Sequence, residues 1–187
     1  MCALDVRPAI GTERLILRAP VMDDASAIAE LANDPSVVGM LTSWPYPFTP
    51  ADAQAWLMKV TGANPRHRTD FVIEHRQFGV IGVIGVGEDE PDGPPLAFHG
   101  ARPELGYWLG RPFWNRGYAT EAVSAVLGWV KGDWRRNVVW AGHFADNRAS
   151  GQVLCKAGFL YTGDVEMKPS LGRDGQAVPN RMMVWLA

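Results

Sequence analysis

Apolar and polar residues recur with two different periods along this chain, and these periods predict where its strands and helices lie. Residues 12–18 alternate polar and apolar around Leu15 and Leu17, which predicts a first strand. Residues 80–86 are almost continuously β-branched, so we expect a central strand that is buried on both faces. Residues 122–130 repeat apolar side chains at helical spacing, which predicts an amphipathic helix.

The other segments follow on the same grounds. We predict further strands at residues 71–74, 104–109, 137–142, 159–161 and 181–186, and a polar loop at residues 169–179. Asp23 or Asp24 is expected to cap a helix that stops at residues 33–35, and Thr49 and Asn147 are expected to begin two more. The resulting order, β-α-α-β-β-β-α-β-α-β-β, indicates one α/β domain, residues 1–187, around a mixed sheet.

A candidate anion site lies at residues 114–122, where a strand-and-loop segment becomes the helix of residues 122–130. The first turn of a helix has backbone N–H groups without an internal partner, and the helix dipole adds positive charge there. Gly117 and Ala119 are small enough for a ligand to approach the backbone, and Arg116 adds a cation. The segment is therefore suited to a phosphate or pyrophosphate, although an ordinary glycine-containing helix start has the same sequence features.

Composition narrows the possible classes of function. The chain has 187 residues, a formal net charge of -2 and 2 cysteines, which argues against a nucleic-acid footprint, a disulfide framework or a metal-ligand cluster. Its start lacks the apolar region of a signal peptide, and no apolar run reaches membrane-spanning length. We therefore expect no metal, no nucleic-acid or membrane partner, and a cytoplasmic location.

Three blocks occur in a fixed order: residues 104–109, residues 114–122, and residues 147–159 from Asn147 to Phe159. Together they resemble the GNAT superfamily of acetyl-coenzyme A-dependent N-acetyltransferases, and within it the RimJ/RimL-like branch, which residues 12–18 also fit. The resemblance covers roughly residues 12–187. It implies a mixed, mostly antiparallel sheet of about 6–7 strands with about four helices and a splay between two central strands. Trp114 stands where the family's pyrophosphate loop has Gln or Arg, a departure shared by this branch.

The resemblance also implies which residues bind acetyl-coenzyme A. The pyrophosphate is expected to bind backbone N–H groups of Asn115, Arg116, Gly117, Tyr118, Ala119 and Thr120, with Arg111 and Arg116 as possible cations. Backbone groups of Leu109 and Gly110, beside the splay, are expected to bind the pantetheine arm, and Asn147 is expected to contact the same arm.

Acetyl transfer to an amine needs a group that removes the amine proton and a way to accommodate the leaving thiolate. Glu104 is the best candidate base because it begins the strand that borders the splay, with His99 and His143 as rivals. Ser150, one helical turn after Asn147, is the candidate acid, and a simple helix-start role is equally open. Cys155 is expected to pack in the fold, because the sequence places no base beside it.

Trp44, Trp108 and His143 are expected to line the acceptor pocket. The acceptor is an amine, either a peptide N-terminus or a small molecule, and the sequence does not choose between them. A protein of this fold that binds the coenzyme without catalysis, as a sensor or partner module, is the alternative function. We expect a monomer or a homodimer.

Overall fold

The computed structural model describes residues 8–88 and 102–187, and within these ranges the chain forms one sheet of eight strands and five α-helices. The strands are β1 (Ile10–Gly11), β2 (Leu15–Arg18), β3 (Arg68–His75), β4 (Gly79–Glu88), β5 (Pro103–Leu109), β6 (Val138–Phe144), β7 (Leu160–Ser170) and β8 (Gln176–Leu186). The helices are α1 (Ala25–Ala32), α2 (Pro35–Val38), α3 (Pro50–Gly62), α4 (Tyr118–Gly132) and α5 (Arg148–Lys156). His99, a rival candidate base, lies outside the described residues.

The strand order is β1-β2-β3-β4-β5-β6-β8-β7, and every neighbouring pair is antiparallel except β5 and β6. These two parallel strands pair only through Glu104 with Trp140 and Leu105 with Ala141. Beyond these pairs β5 stays with β4 and β6 stays with β8, so a gap opens in the middle of the sheet. The predicted mixed, mostly antiparallel sheet with a central splay is confirmed, with eight strands instead of six or seven.

The sheet separates two layers of core, and the alternation of strand residues decides which side chain enters which layer. Leu105 and Leu109 pack with α4, whereas Trp108 packs with residues of α1 and α3. Because successive residues of a strand point to opposite faces, Tyr107 lies on the α4–α5 face. Glu104 and Gly106 share the face of Trp108, which is the α1–α3 face.

Two of the predicted helix starts are confirmed by their hydrogen bonds. Thr49 and Asp52 form a reciprocal capping box at the start of α3, with Pro50 in the first turn. The side chain of Asn147 accepts from the backbone N–H of Ser150 at the start of α5. The cap predicted for α1 is wrong, because the Asp24 side chain makes no capping bond to the helix. That carboxylate instead accepts from the Arg18 guanidinium at 2.7 Å.

The loop predicted at residues 169–179 is wrong at both ends, because β7 continues to Ser170 and β8 begins at Gln176, which leaves residues 171–175 as the tip of a long hairpin. The tip of the hairpin docks on the layer that contains α2. Ser170 Oγ donates to Leu41 O at 2.8 Å, and Leu171 N donates to Thr42 O at 3.0 Å. Polar residues in a short window gave no sign of this ladder, since its partner strand and its docking site are distant in sequence. The hairpin therefore covers the α1–α3 side of the fold.

Candidate active site

The segment before α4 is shaped as the sequence predicts for an anion site. Asn115 and Gly117 have left-handed backbone conformations, with φ of 59° and 80°. Glu121 N is the first amide to bond back into the helix, to Gly117 O at 3.1 Å. The N–H groups of residues 115–120 have no hydrogen-bond acceptor in the part of the chain that the structure describes. Several donors and the positive end of α4 therefore converge on one place.

An interaction across the fold braces this loop. The Glu121 carboxylate accepts from Thr12 Oγ1 at 2.6 Å and from Arg14 Nε at 2.7 Å. Arg14 Nη1 also donates to Arg116 O at 3.0 Å, within the loop itself. Burial raises the pKa of Glu121, but the bonds from Thr12 and Arg14 outweigh burial, so this pKa lies below its ordinary value. Residues 12–14 thus hold the start of α4 in place.

Trp114 fixes the other end of the loop. Its indole Nε1 donates to Leu109 O at 2.7 Å. Gly110 N donates to Ile81 O at 2.9 Å, which continues the β4–β5 pairing past the end of β5. The Leu109 carbonyl and the Gly110 N–H, which we expected to face the pantetheine arm, are therefore already bonded within the protein. The structure gives Trp114 a positional role at the place where the family has Gln or Arg.

The α4–α5 side of the splay is bridged by hydroxyl groups. Tyr107 on β5 reaches α5, where its Oη lies 2.9 Å from Ser150 Oγ and donates to Ser150 O at 3.2 Å. Burial raises the pKa of Tyr107 to about 12, although the Ser150 bond lowers it. Tyr107 is thus protonated at neutral pH and can supply a hydrogen bond or a proton to Ser150. With Asn147 Oδ1 on Ser150 N, these residues line the gap from one side.

On the α1–α3 face, the beginning of β5 carries a group of alternating charges. Lys168 Nζ, on β7, lies 3.1 Å from Glu104 Oε1 and 3.9 Å from Glu166 Oε2. The Glu104 side chain retains 32% exposure, so solvent or a ligand can still reach it. The predicted base therefore lies at the gap with an ammonium group as its partner.

An aromatic cluster lies on the same face. Trp44 contacts the rings of Phe48, Trp56 and Trp108, with centroids 4.3, 5.6 and 5.1 Å apart. Trp108 Nε1 is fully enclosed and has no hydrogen-bond partner among the described residues. The structure therefore brings together Trp44 and Trp108, two of the three residues predicted for the acceptor pocket, with an unsatisfied donor between the layers.

His143 does not join them. It shares the face of Val139 and Ala141, beneath α5, and it is buried. Its Nδ1 donates to Phe144 O at 2.8 Å, and its Nε2 lies 2.9 Å from Tyr161 Oη. This placement does not support a role in the acceptor pocket. Cys155 is exposed on α5, so the expectation that it packs in the core is wrong.

Sequence reasoning missed Asn180, a buried residue at the β6 edge of the gap. A Cβ atom on Gly142, the first residue of β6 past its pairing with β5, would come within 2.2 Å of Asn180 Nδ2. This Nδ2 donates only to Met182 Sδ, a weak acceptor at 3.1 Å, and Oδ1 has no donor in residues 8–88 and 102–187. The sequence around Asn180 does not indicate that it lies near the gap, because only the pairing of β8 with β6 brings it there.

The described residues contain neither a membrane-spanning helix nor a group of metal-ligating side chains. No helix there combines the length and the apolar character needed to cross a membrane. In the same residues, no three His, Cys, Asp or Glu side chains are grouped so that they could hold a metal ion.

Comparison with known proteins gives consistent matches. A family model described as an acetyltransferase (GNAT) domain matches residues 14–160, well over half of the chain. The uncharacterized N-acetyltransferase YoaA of Bacillus subtilis (strain 168) is 30% identical over 162 residues, covering 83% of this chain and 85% of YoaA. The uncharacterized N-acetyltransferase p20 of Bacillus licheniformis is 26% identical over 156 residues, covering 81% of this chain and 82% of p20.

Solved structures share the fold at low sequence identity. RimL, the ribosomal L7/L12 alpha-N-protein acetyltransferase in complex with coenzyme A, has a TM-score of 0.77 at 19% identity over 96% of this chain and 98% of that chain. The spermidine N-acetyltransferase of Vibrio cholerae, in complex with coenzyme A and spermine, has a TM-score of 0.74 at 18% identity over 94% and 96%. Their fold agrees with the predicted RimJ/RimL-like branch.

Proposed function

The chain belongs to the GNAT acetyltransferase family, and we propose that it transfers the acetyl group of acetyl-coenzyme A directly to a primary amine in a ternary complex. The observation that carries this proposal is the braced loop before α4. Its left-handed Gly117 and its unpaired N–H groups form a cradle for a pyrophosphate, which is the charged middle of the coenzyme. Arg116 within the loop is proposed to add a cation, and so is Arg111, whose guanidinium lies 3.8 Å from Asp34 Oδ2.

The coenzyme arm is expected to enter the gap between β5 and β6 from the α4–α5 face. The two strand edges that face each other past Leu105 and Ala141 lack ladder partners, so they are free to bond an amide-containing arm. Gly106 leaves the opposite, α1–α3 face of the gap open, since nothing lies within 4 Å of the position where its Cβ would be. The thioester would then meet an acceptor that arrives from the α1–α3 face, where Glu104 lies.

Glu104 is the proposed base. An ammonium group has no lone pair, so it must transfer a proton to the carboxylate, directly or through water, before its nitrogen attacks the acetyl carbon. Lys168 holds Glu104 in the free enzyme, and Glu166 is near enough to serve as its second partner. We propose that Lys168 moves towards Glu166 when the cationic acceptor arrives, which keeps the net charge of the site balanced.

Ser150 is the proposed acid, and Tyr107 stands behind it. As the carbon–sulfur bond breaks, the thiolate takes a proton from Ser150 Oγ, and Tyr107 Oη replaces that proton through its 2.9 Å contact. The ammonium form of the acceptor loses two protons in all. One proton leaves through Glu104 to solvent. The other leaves the nitrogen after it has attacked and restores the Tyr107 hydroxyl. The Tyr107–Ser150 pair therefore ends unchanged, and the thiol of coenzyme A has gained one proton. No covalent enzyme intermediate is needed, and Cys155 lies on the outer flank of α5.

The acceptor is proposed to be either a peptide N-terminus or a small amine. RimL and the spermidine N-acetyltransferase carry these two acceptor classes in their names, and both share this fold. The aromatic cluster around Trp44 fits an acceptor with apolar groups next to its amine.

A panel of N-terminal peptides and small amines, assayed by free thiol release from acetyl-coenzyme A, tests the activity. We expect at least one amine to accelerate thiol release above the rate of hydrolysis, and no acetylated protein to accumulate by intact mass when the amine is omitted. Coenzyme binding without any accelerating amine would favour the sensor alternative. An acetylated protein that forms and then decays on addition of amine would contradict direct transfer.

A further inference from the structure

A cavity lies between α5 and residues of β6, β7 and β8. Its volume is about 550 Å³, and α5 lines it with Arg148, Gly151, Gln152 and Cys155, which follow one another at helical spacing. Ser150 points to the other flank, where it meets Tyr107 of β5. The cavity is therefore separated from the gap between β5 and β6 by the body of the helix.

The charge of this cavity is one-sided. Arg148, Lys156 and Arg181 line it, and its lining contains no Asp or Glu. Within residues 8–88 and 102–187, none of these three cations forms an ion pair, whereas Arg14, like Arg18 and Arg173, has a carboxylate partner within 2.7 Å. Like charges held around a concave surface repel one another and raise the local positive potential. An anion placed among them removes that repulsion.

His143 and Tyr161 lie on the sheet side of the cavity and contact each other. His143 Nδ1 donates to Phe144 O at 2.8 Å, and its Nε2 lies 2.9 Å from Tyr161 Oη. Gly151 lies directly over this pair, because a Cβ atom there would come within 2.7 Å of Tyr161 Oη and 2.8 Å of His143 Nε2. Glycine at this position thus allows α5 to pack close to the sheet, with the His143–Tyr161 pair beneath it.

We propose that this cavity binds a small multivalent oxyanion, with phosphoryl or carboxylate groups held by Arg148, Lys156 and Arg181, at a site separate from that of the coenzyme. Guanidinium groups match such oxyanions in a planar, two-bond geometry, and the lysine adds a point charge. Gln152 can donate an amide N–H from the same helix face. The size of the cavity suits a small-molecule ligand better than a single chloride ion.

Cys155 provides a local readout that does not depend on catalysis. The chain has 2 cysteines, so a Cys2→Ser variant leaves Cys155 as its single thiol. The rate of alkylation by neutral iodoacetamide is measured with pyrophosphate and, separately, with citrate, at constant ionic strength set by sodium chloride. We expect saturable protection of roughly threefold or more by at least one anion. The stronger protector identifies phosphoryl or carboxylate as the preferred group.

Lys156 and Lys131 form a matched pair for this test, since each is the basic residue in the last turn of its helix. Lys156→Gln and Arg181→Gln should remove the protection, and Lys131→Gln should retain it. Equal protection in all three variants, or no protection by either anion in the parent protein, would overturn the proposal.

A further experiment distinguishes binding in this cavity from binding at the coenzyme site. Gly117→Ala should weaken coenzyme binding and leave the protection of Cys155 by pyrophosphate unchanged. If acetyl-coenzyme A itself protects Cys155, and Lys156→Gln lowers its affinity, then the cavity is part of the coenzyme site and the proposal is wrong. Failure of the acetyltransferase assay would leave this result unaffected, because no turnover is measured.

Discussion

Substitution of Gly117 by alanine tests the proposed coenzyme cradle most directly. Gly117 has φ of 80°, and an added Cβ would meet only Arg14 Nη2, at 3.4 Å. Space therefore permits alanine, and the left-handed backbone opposes it by about 1–2 kcal/mol. Restriction of the unfolded chain returns about 0.4–1 kcal/mol. We expect a net loss of about 1 kcal/mol in the free energy of unfolding, which lowers the melting temperature by roughly 2–4 °C.

The effect on coenzyme binding should be larger than the effect on stability. Relaxation of φ turns the N–H groups of residues 115–120 away from their common target. Loss of one hydrogen bond to a charged group costs about 1.5–3 kcal/mol. The dissociation constant of acetyl-coenzyme A should therefore rise roughly tenfold or more, as measured by isothermal titration calorimetry on folded protein.

Gly128→Ala is the matched control on the same helix. Gly128 is exposed in the interior of α4, and nothing lies within 4 Å of its added Cβ. Alanine there should stabilise the protein by about 0.5–1 kcal/mol and leave coenzyme affinity unchanged. If Gly117→Ala is folded and binds the coenzyme as tightly as Gly128→Ala does, the reasoning about the cradle is refuted.

Three further predictions concern single groups of the site. Glu104→Gln should slow turnover by on the order of a hundredfold and barely change coenzyme affinity, and an unaltered pH–rate profile would remove Glu104 as the base. Ser150→Ala should slow the single-turnover step roughly tenfold, and equal single-turnover rates in wild type and Ser150→Ala would remove Ser150 as the acid. Asn147→Ala should cost about 1 kcal/mol of stability and should also weaken coenzyme binding. The Glu121 pKa is lowered in the folded protein, so its contribution to stability is present above the unfolded pKa of about 4.3 and disappears as the pH falls through the folded pKa. Acid titrations of the unfolding free energy should therefore fall less steeply below about pH 4.3 in Glu121→Gln, and parallel curves would refute the brace.

Ser150→Ala should also lower the stability of the protein slightly. Its side chain has no capping bond, so position in the helix alone predicts an unchanged melting temperature. In the structure its Oγ contacts Tyr107 Oη at 2.9 Å, while Ser150 O accepts from the same hydroxyl at 3.2 Å. The carbonyl remains as a partner in the alanine variant, so we expect a loss of only about 0.5–1.5 kcal/mol.

Features that depend on neighbours in sequence were predictable. The capping box of Thr49 and Asp52, the cap at Asn147 and the glycine-containing start of α4 all follow from groups within about four residues of one another, and the structure confirms each. Strand and helix periods are local in the same sense. For this reason the sequence by itself determined the α/β class and the place where α4 begins.

Features that depend on pairing between distant segments were decided only by the tertiary structure. Glu104 meets Lys168, Tyr107 meets Ser150, and Arg14 meets Glu121, through contacts that join residues 64, 43 and 107 positions apart. The spacing of apolar residues along the chain does not show which distant side chain will approach a given face of a strand, because strand register is set by the packing of the whole sheet. His143 shows the consequence: the sequence placed it just after the strand of residues 137–142 and in the acceptor pocket, yet it belongs to β6 and points under α5, away from Trp44 and Trp108.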